Sequence, residues 1–107
     1  MTTRALILVD IQNDFMPTGA LPVKEGDVIV PLINTLQSRF DLIVATQDFH
    51  PETHGSFASQ HEGKSPGELI SLFDLPQLLW PDHCVQGTTG ADFHPDLDRS
   101  KVAKVFP

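Results

Sequence analysis

Ala5-Leu6-Ile7-Leu8-Val9 is an unbroken apolar run that ends on a carboxylate, Asp10. A run without polar alternation is how a strand reads when both of its faces are covered, as in parallel sheets. Leu42-Ile43-Val44-Ala45-Thr46 repeats the pattern. Between the two, Ile29, Leu32, Ile33, Leu36 and Phe40 recur at helical spacing and predict an amphipathic helix. Its start has two candidates, Asp27 as a cap or Pro31 at the first helical position. The opening half therefore predicts a β-α-β unit with a right-handed crossover. Lys101 to Phe106 reads as a third strand, which sets the fold class as α/β: a parallel sheet with flanking helices, of which the first three strands are present.

The segments between these elements are less regular. Gln12 to Gly26 is rich in turn residues, with Pro17, Gly19 and Pro22. From Gln47 to about Arg99 the chain is dominated by Pro, Gly, His and Ser, with short helical pieces expected around Pro66–Phe73 and Asp92–Leu97. Loops this long are uncommon in compact domains unless they are functional or disordered. The aromatic residues Phe57, Phe73 and Trp80, together with the histidines, favour an ordered, functional segment.

Composition narrows the function classes. A chain of 107 residues, 40% hydrophobic and 20% charged, fits one small globular domain spanning residues 1–107. Its formal net charge of -7 argues against nucleic acid or an anionic membrane surface as partner. No apolar stretch is long enough to span a bilayer, and no secretory pattern opens the chain. The single cysteine, Cys84, has no partner for an internal disulfide, so a reducing cytoplasm is the expected location.

The position of the charged residues suggests chemistry. In open α/β sheets, ligands bind outside the carboxyl ends of the strands. The first strand ends in Asp10 and the second leads into Asp48-Phe49-His50-Pro51-Glu52-Thr53-His54. If the strands are parallel neighbours, Asp10 and Asp48 share one rim. Asp48 and His50, two apart, point the same way in an extended segment. His83, in Trp80-Pro81-Asp82-His83, is a candidate third ligand for a divalent metal with open positions. Zinc is expected first, and iron or manganese tolerate the same ligands. The alternative is a solvated polar loop with a hydrogen-bonded histidine. His54 has three readings: ligand, support for a metal-bound water, or a loop contact.

Asp10 is costly to bury as an ion without a partner. It reads either as functional or as a structural carboxylate capping backbone amides, a role open to Asp14 as well. Cys84 is expected to be inert, because an extended backbone would turn it away from a ligating His83. Phe15 and Trp80 read equally as aromatic substrate walls or plain core. His61 and His94 are assigned no role.

These motifs taken together resemble a known family. Ala5 through Phe15, Gly19-Ala20-Leu21-Pro22-Val23, Thr46-Gln47-Asp48-Phe49-His50-Pro51, His54-Gly55-Ser56-Phe57-Ala58 and Leu79 through Val85 occur in the order seen in nicotinamidases of the isochorismatase-like cysteine hydrolase superfamily. The resemblance implies a Rossmann-like sheet and hydrolysis of nicotinamide to nicotinate and ammonia through a cysteine thioester. It further implies Asp10 as the acid/base residue, Asp48, His50 and His83 as metal ligands, and Phe15 and Trp80 as substrate walls. The metal would hold the pyridine nitrogen of the substrate.

The family pattern also holds features that do not match. Its lysine follows the third strand, and Lys101 and Lys104 fall too early for it. Its nucleophilic cysteine belongs to a later segment, and Cys84 matches the metal-loop cysteine instead. The expectation is an N-terminal half, inactive alone, in which the Asp10 strand becomes an exposed sheet edge. Two other readings stay open: a related small-amide hydrolase, or a non-catalytic metal-binding piece.

Overall fold

The structure, a computed structural model, describes residues 2–107. Strand β1 (Ala5–Val9) and strand β2 (Leu42–Thr46) pair in parallel, with Ala5 opposite Leu42 and Val9 opposite Thr46. Helix α1 (Ile29–Leu36) makes the crossover between them. Strands β3 (Leu69–Leu72) and β4 (Leu75–Leu78) form a separate antiparallel pair. Strand β5 (Val102–Phe106) then adds in parallel to β2, giving the sheet order β1-β2-β5. This is the α/β parallel sheet expected from the apolar runs, and β1 lies at its edge.

Burial divides each strand into an inner and an outer face. Leu8, Ile43 and Ala45 are buried and pack with Val30 of the helix and with Ile11, Met16, Phe93 and Leu97. Strand geometry sends alternate side chains to opposite faces, so Ile7 and Val9 point away from this core and are 60% and 62% exposed. The expectation that both faces of β1 are covered is therefore corrected. Among the described residues one apolar face is packed by α1 and the Phe93–Leu97 segment, and the other is open. The run lacks alternation because both faces are apolar, whether or not each is covered within these residues. Leu8→Ala is expected to cost about 2–5 kcal/mol in urea unfolding. Ile7→Ala should stay within about 0.5 kcal/mol.

The helix start also differs from both candidates. A 3-10 turn, Gly26–Val28, leads straight into Ile29, with no side-chain cap. Pro31 is the third residue of the helix, where its missing N–H costs nothing because the first-turn amides have no intrahelical acceptor. A second 3-10 turn, Gln37–Arg39, ends the helical segment before Phe40.

Neither short helical piece expected further on is present. Pro66–Phe73 contains β3, and the chain reverses through Phe73 and Asp74, which both have positive φ, 51° and 64°. Two successive left-handed residues between paired strands match the twist of a tight hairpin. A Phe-Asp pair lacks the glycine or asparagine that signals such a turn, so the sequence concealed it. Asp92–Leu97 follows a 3-10 turn at Thr89–Ala91 as non-helical chain, tied to the turn after β1 by a bridge between Gln12 and Phe93.

Candidate metal centre at the sheet rim

Beyond β2 the chain runs outward to Asp48 and His50, and a parallel bridge between His50 and Val85 sews this segment to the distal loop. His50 N–H donates to the Cys84 carbonyl at 2.9 Å, and Gln86 N–H donates to the His50 carbonyl at 2.8 Å. A second bridge, Phe57 with Trp80, holds the two loops together further out. These backbone rungs bring His83 to the pair that Asp48 and His50 form by local spacing.

One ligand atom from each of Asp48, His50 and His83 lies within 4.8 Å of the others. The Asp48 carboxylate faces both imidazoles, with Oδ1 2.9 Å from His50 Nε2 and Oδ2 3.3 Å from His83 Nε2. His83 Nδ1 sits 2.8 Å from the Pro81 carbonyl oxygen. A carbonyl only accepts, so Nδ1 carries the proton, and in the neutral ring Nε2 then keeps a lone pair for the site. Metal-ligating histidines are commonly oriented in this way. Phe57, fully buried, packs edge-on against His50 and His83. Two imidazoles and a carboxylate converging in this way could hold a divalent cation.

His54 lies beside this set, its ring centroid 4.3 Å from that of His50. Its Nδ1 accepts from the Ser56 backbone N–H at 3.2 Å. In the neutral ring the proton then resides on Nε2, which leaves no second lone pair for an ion. Burial chiefly, then neighbouring His50, holds its pKa below the usual imidazole range.

Asp10 occupies the same rim at the end of β1, in the left-handed region at φ 53°. The Thr46 hydroxyl donates to its Oδ1 at 2.7 Å, while Asp10 N–H donates to Thr46 Oγ1 at 3.1 Å. Asp10 and Phe15 line a cleft of about 250 Å3 with Val9, Ile11, Met16 and Ile29. Phe15 also approaches His83, with ring centroids 5.9 Å apart, and so links the cleft to the metal set. Trp80 does not line this cleft and is 38% exposed.

Cys84 is fully buried, but its backbone is not extended as expected. It sits at φ 48°, its thiol near the Gly90 carbonyl. Burial foremost, then the Asp48, Asp14 and Asp10 carboxylates, pushes the thiol up to about 12. Burial, rather than strand alternation, keeps it from being a thiolate nucleophile. His61 and His94 make packing contacts, with the Gly55 carbonyl and the Asp96 amide.

Two residues of the site were missed by the sequence reading. Thr46 closes on Asp10, and Gln12 grips Asp48 from below. Neither residue type signals a site alone; parallel pairing of β1 with β2 places both, so strand register was the available clue.

No family model matches the chain. It is 53% identical to a nicotinamidase of Escherichia coli (strain K12), over 99% of this chain and 51% of that one. Among solved structures it resembles a nicotinamidase/pyrazinamidase of Acinetobacter baumanii, with a TM-score of 0.89 and 50% identity. That match covers 94% of this chain and 49% of the other. A pyrazinamidase of Pyrococcus horikoshii, solved in complex with zinc, matches with a TM-score of 0.69 and 43% identity, over 96% of this chain and 50% of that one. The chain spans about half the length of the curated relatives it matches.

Proposed function

We propose, for a chain that belongs to the nicotinamidase family by its match to the N-terminal half of those proteins, that these residues form the substrate-orienting half of an amide hydrolase acting on nicotinamide. The observation that carries this reading is the convergence of Asp48, His50 and His83 on the rim beside the Asp10–Phe15 cleft. Zinc is the metal proposed, since two imidazoles and one carboxylate leave one position open in its tetrahedral preference. Asp48, His50 and His83 would hold the ion, which would supply a Lewis acid for the ring nitrogen of a pyridine amide. Phe15 stacks the ring in the cleft, and Trp80, outside the cleft lining but bridged to Phe57 beside the imidazoles, is the wall proposed on the metal side. His54 donates from Nε2 to a water at the metal edge.

Asp10 moves the proton. The Thr46 hydroxyl occupies Oδ1, so Oδ2 receives the proton of an attacking thiol and later gives it to departing ammonia. The thiol, a lysine and the oxyanion donors are proposed to come from the half of the family fold that these residues do not match. Chemistry through a thiol suits a reducing cytoplasm.

Two results are expected. The 107 residues alone should release no ammonia from nicotinamide, because their single thiol is the buried Cys84. Turnover by them, lost in Cys84→Ser, would overturn this assignment. In a chimera joining these residues to the remaining half of the Escherichia coli relative, nicotinamide and pyrazinamide should be hydrolysed. Benzamide, lacking the ring nitrogen, should be a poor substrate. Equal turnover of benzamide would remove the proposed role of the metal.

A further inference from the structure

The turn that follows β1 sends two polar side chains back against the two loops that carry the ligands. Gln12 is fully buried. Its Oε1 accepts from the Asp48 backbone N–H at 2.8 Å, and its Nε2 donates to the Asp48 carbonyl at 2.8 Å. The same Nε2 donates to the Ala91 carbonyl at 2.8 Å. One donor-to-oxygen and two nitrogen-to-acceptor contacts leave no ambiguity in how the amide is turned. A side-chain amide paired with both polar groups of one residue fixes that residue's backbone on both sides of its Cα. The residue so held is the one whose carboxylate faces both imidazoles.

Asp14 serves the other loop. Its Oδ2 accepts from the Cys84 backbone N–H at 2.8 Å, and its Oδ1 accepts from Ala20 N–H at 3.1 Å. Cys84 follows His83 directly and has a left-handed backbone, uncommon for a residue with a side chain. The carboxylate bond supports that conformation, and with it the exit angle of the chain from His83. A Cβ built on Gly90 would overlap the Asp14 carboxyl group, so only glycine admits the carboxylate there.

We propose that Gln12 and Asp14 are positioning residues of the metal centre, which set ligand geometry through the backbone without touching the ion. The proposal rests on the metal reading above and adds what determines the affinity of that site. Ligand distances must hold to within about 0.2 Å, and neither Asp48 nor His83 lies in a helix or strand that would impose this. The turn also carries the chain on from Asp10, so the acid/base residue and the ligand loops share one rigid reference.

The test uses zinc affinity by chelator competition and the visible absorption of the cobalt-loaded protein, which reports ligand geometry independently of activity. Gln12→Met and Asp14→Asn should each weaken zinc binding about 10–100-fold, as loss of outer partners does, and change the cobalt spectrum. The control is Gln37→Met, which removes another buried amide, one bonded to the Asp98 carbonyl and to neither ligand loop. It should lower stability yet leave zinc affinity within about twofold. If Gln12→Met does not fold, Asp14→Asn, at a partly exposed position, carries the test. Folded variants with unchanged affinity and spectrum, or an equal loss in Gln37→Met, would overturn the proposal. Failure of the unaltered protein to bind zinc would instead overturn the metal reading itself.

Discussion

Replacing His83 with alanine is expected to abolish stoichiometric zinc binding, with a loss larger than the roughly 10–100-fold that an outer partner costs. The Asp48–His50 pair would stay joined to the distal loop by its backbone bonds to Cys84 and Gln86, but without that loop's imidazole. His50→Ala and Asp48→Ala should behave alike, and Asp48→Ala removes the group that faces both rings. His54→Ala is the discriminating comparison. Its Nδ1 is engaged by the Ser56 amide, so zinc should remain bound with at most a modest loss. Metal content after dialysis measures all four. Retention of one zinc per chain in His83→Ala would sink the ligand set.

Asp10→Asn is expected to lower the turnover number of the chimera about 10²–10⁴-fold, the range for a positioned proton-transfer group. Asparagine keeps the size of the side chain and an oxygen for the Thr46 hydroxyl, so the left-handed backbone at position 10 and the strand pairing should survive. What is lost is the basicity that the proposed proton transfer requires. Zinc content and KM should change little, because Asp10 lies outside the ligand set. A variant that turns over at the unaltered rate would show that the carboxylate is structural, as Asp14 is toward Ala20 and Cys84. Thr46→Val offers a milder test: it removes the hydroxyl that holds Oδ1 and should cost less than Asp10→Asn.

Legibility in the sequence followed the range of the interactions involved. Apolar runs at residues 5–9 and 42–46 identify the strands, because a five-residue apolar run is a local property, and the helical spacing between them supplies the crossover. Asp48 and His50 were likewise legible, being two apart on one segment. The hairpin at Leu69–Leu78 was not, since its turn is made by Phe73 and Asp74 in a conformation that neither residue type advertises. Nor was the open outer face of β1, because composition records that Ile7 and Val9 are apolar and says nothing of what packs on them.

The sequence by itself determined the α/β parallel unit, the rim position of Asp10 and Asp48, and the presence of imidazoles near them. Only the tertiary structure decided that His83 joins Asp48 and His50, that the His83 proton sits on Nδ1, and that Gln12 and Asp14 hold the loops concerned. The first rests on the backbone bridge between His50 and Val85, and the last on side-chain bonds from Gln12 and Asp14 to backbone groups far along the chain, whereas the His83 proton is set locally by the Pro81 carbonyl. Each of these contacts ends on a peptide group, which every residue carries, so the identity of the residue at that end leaves no mark of where the contact forms.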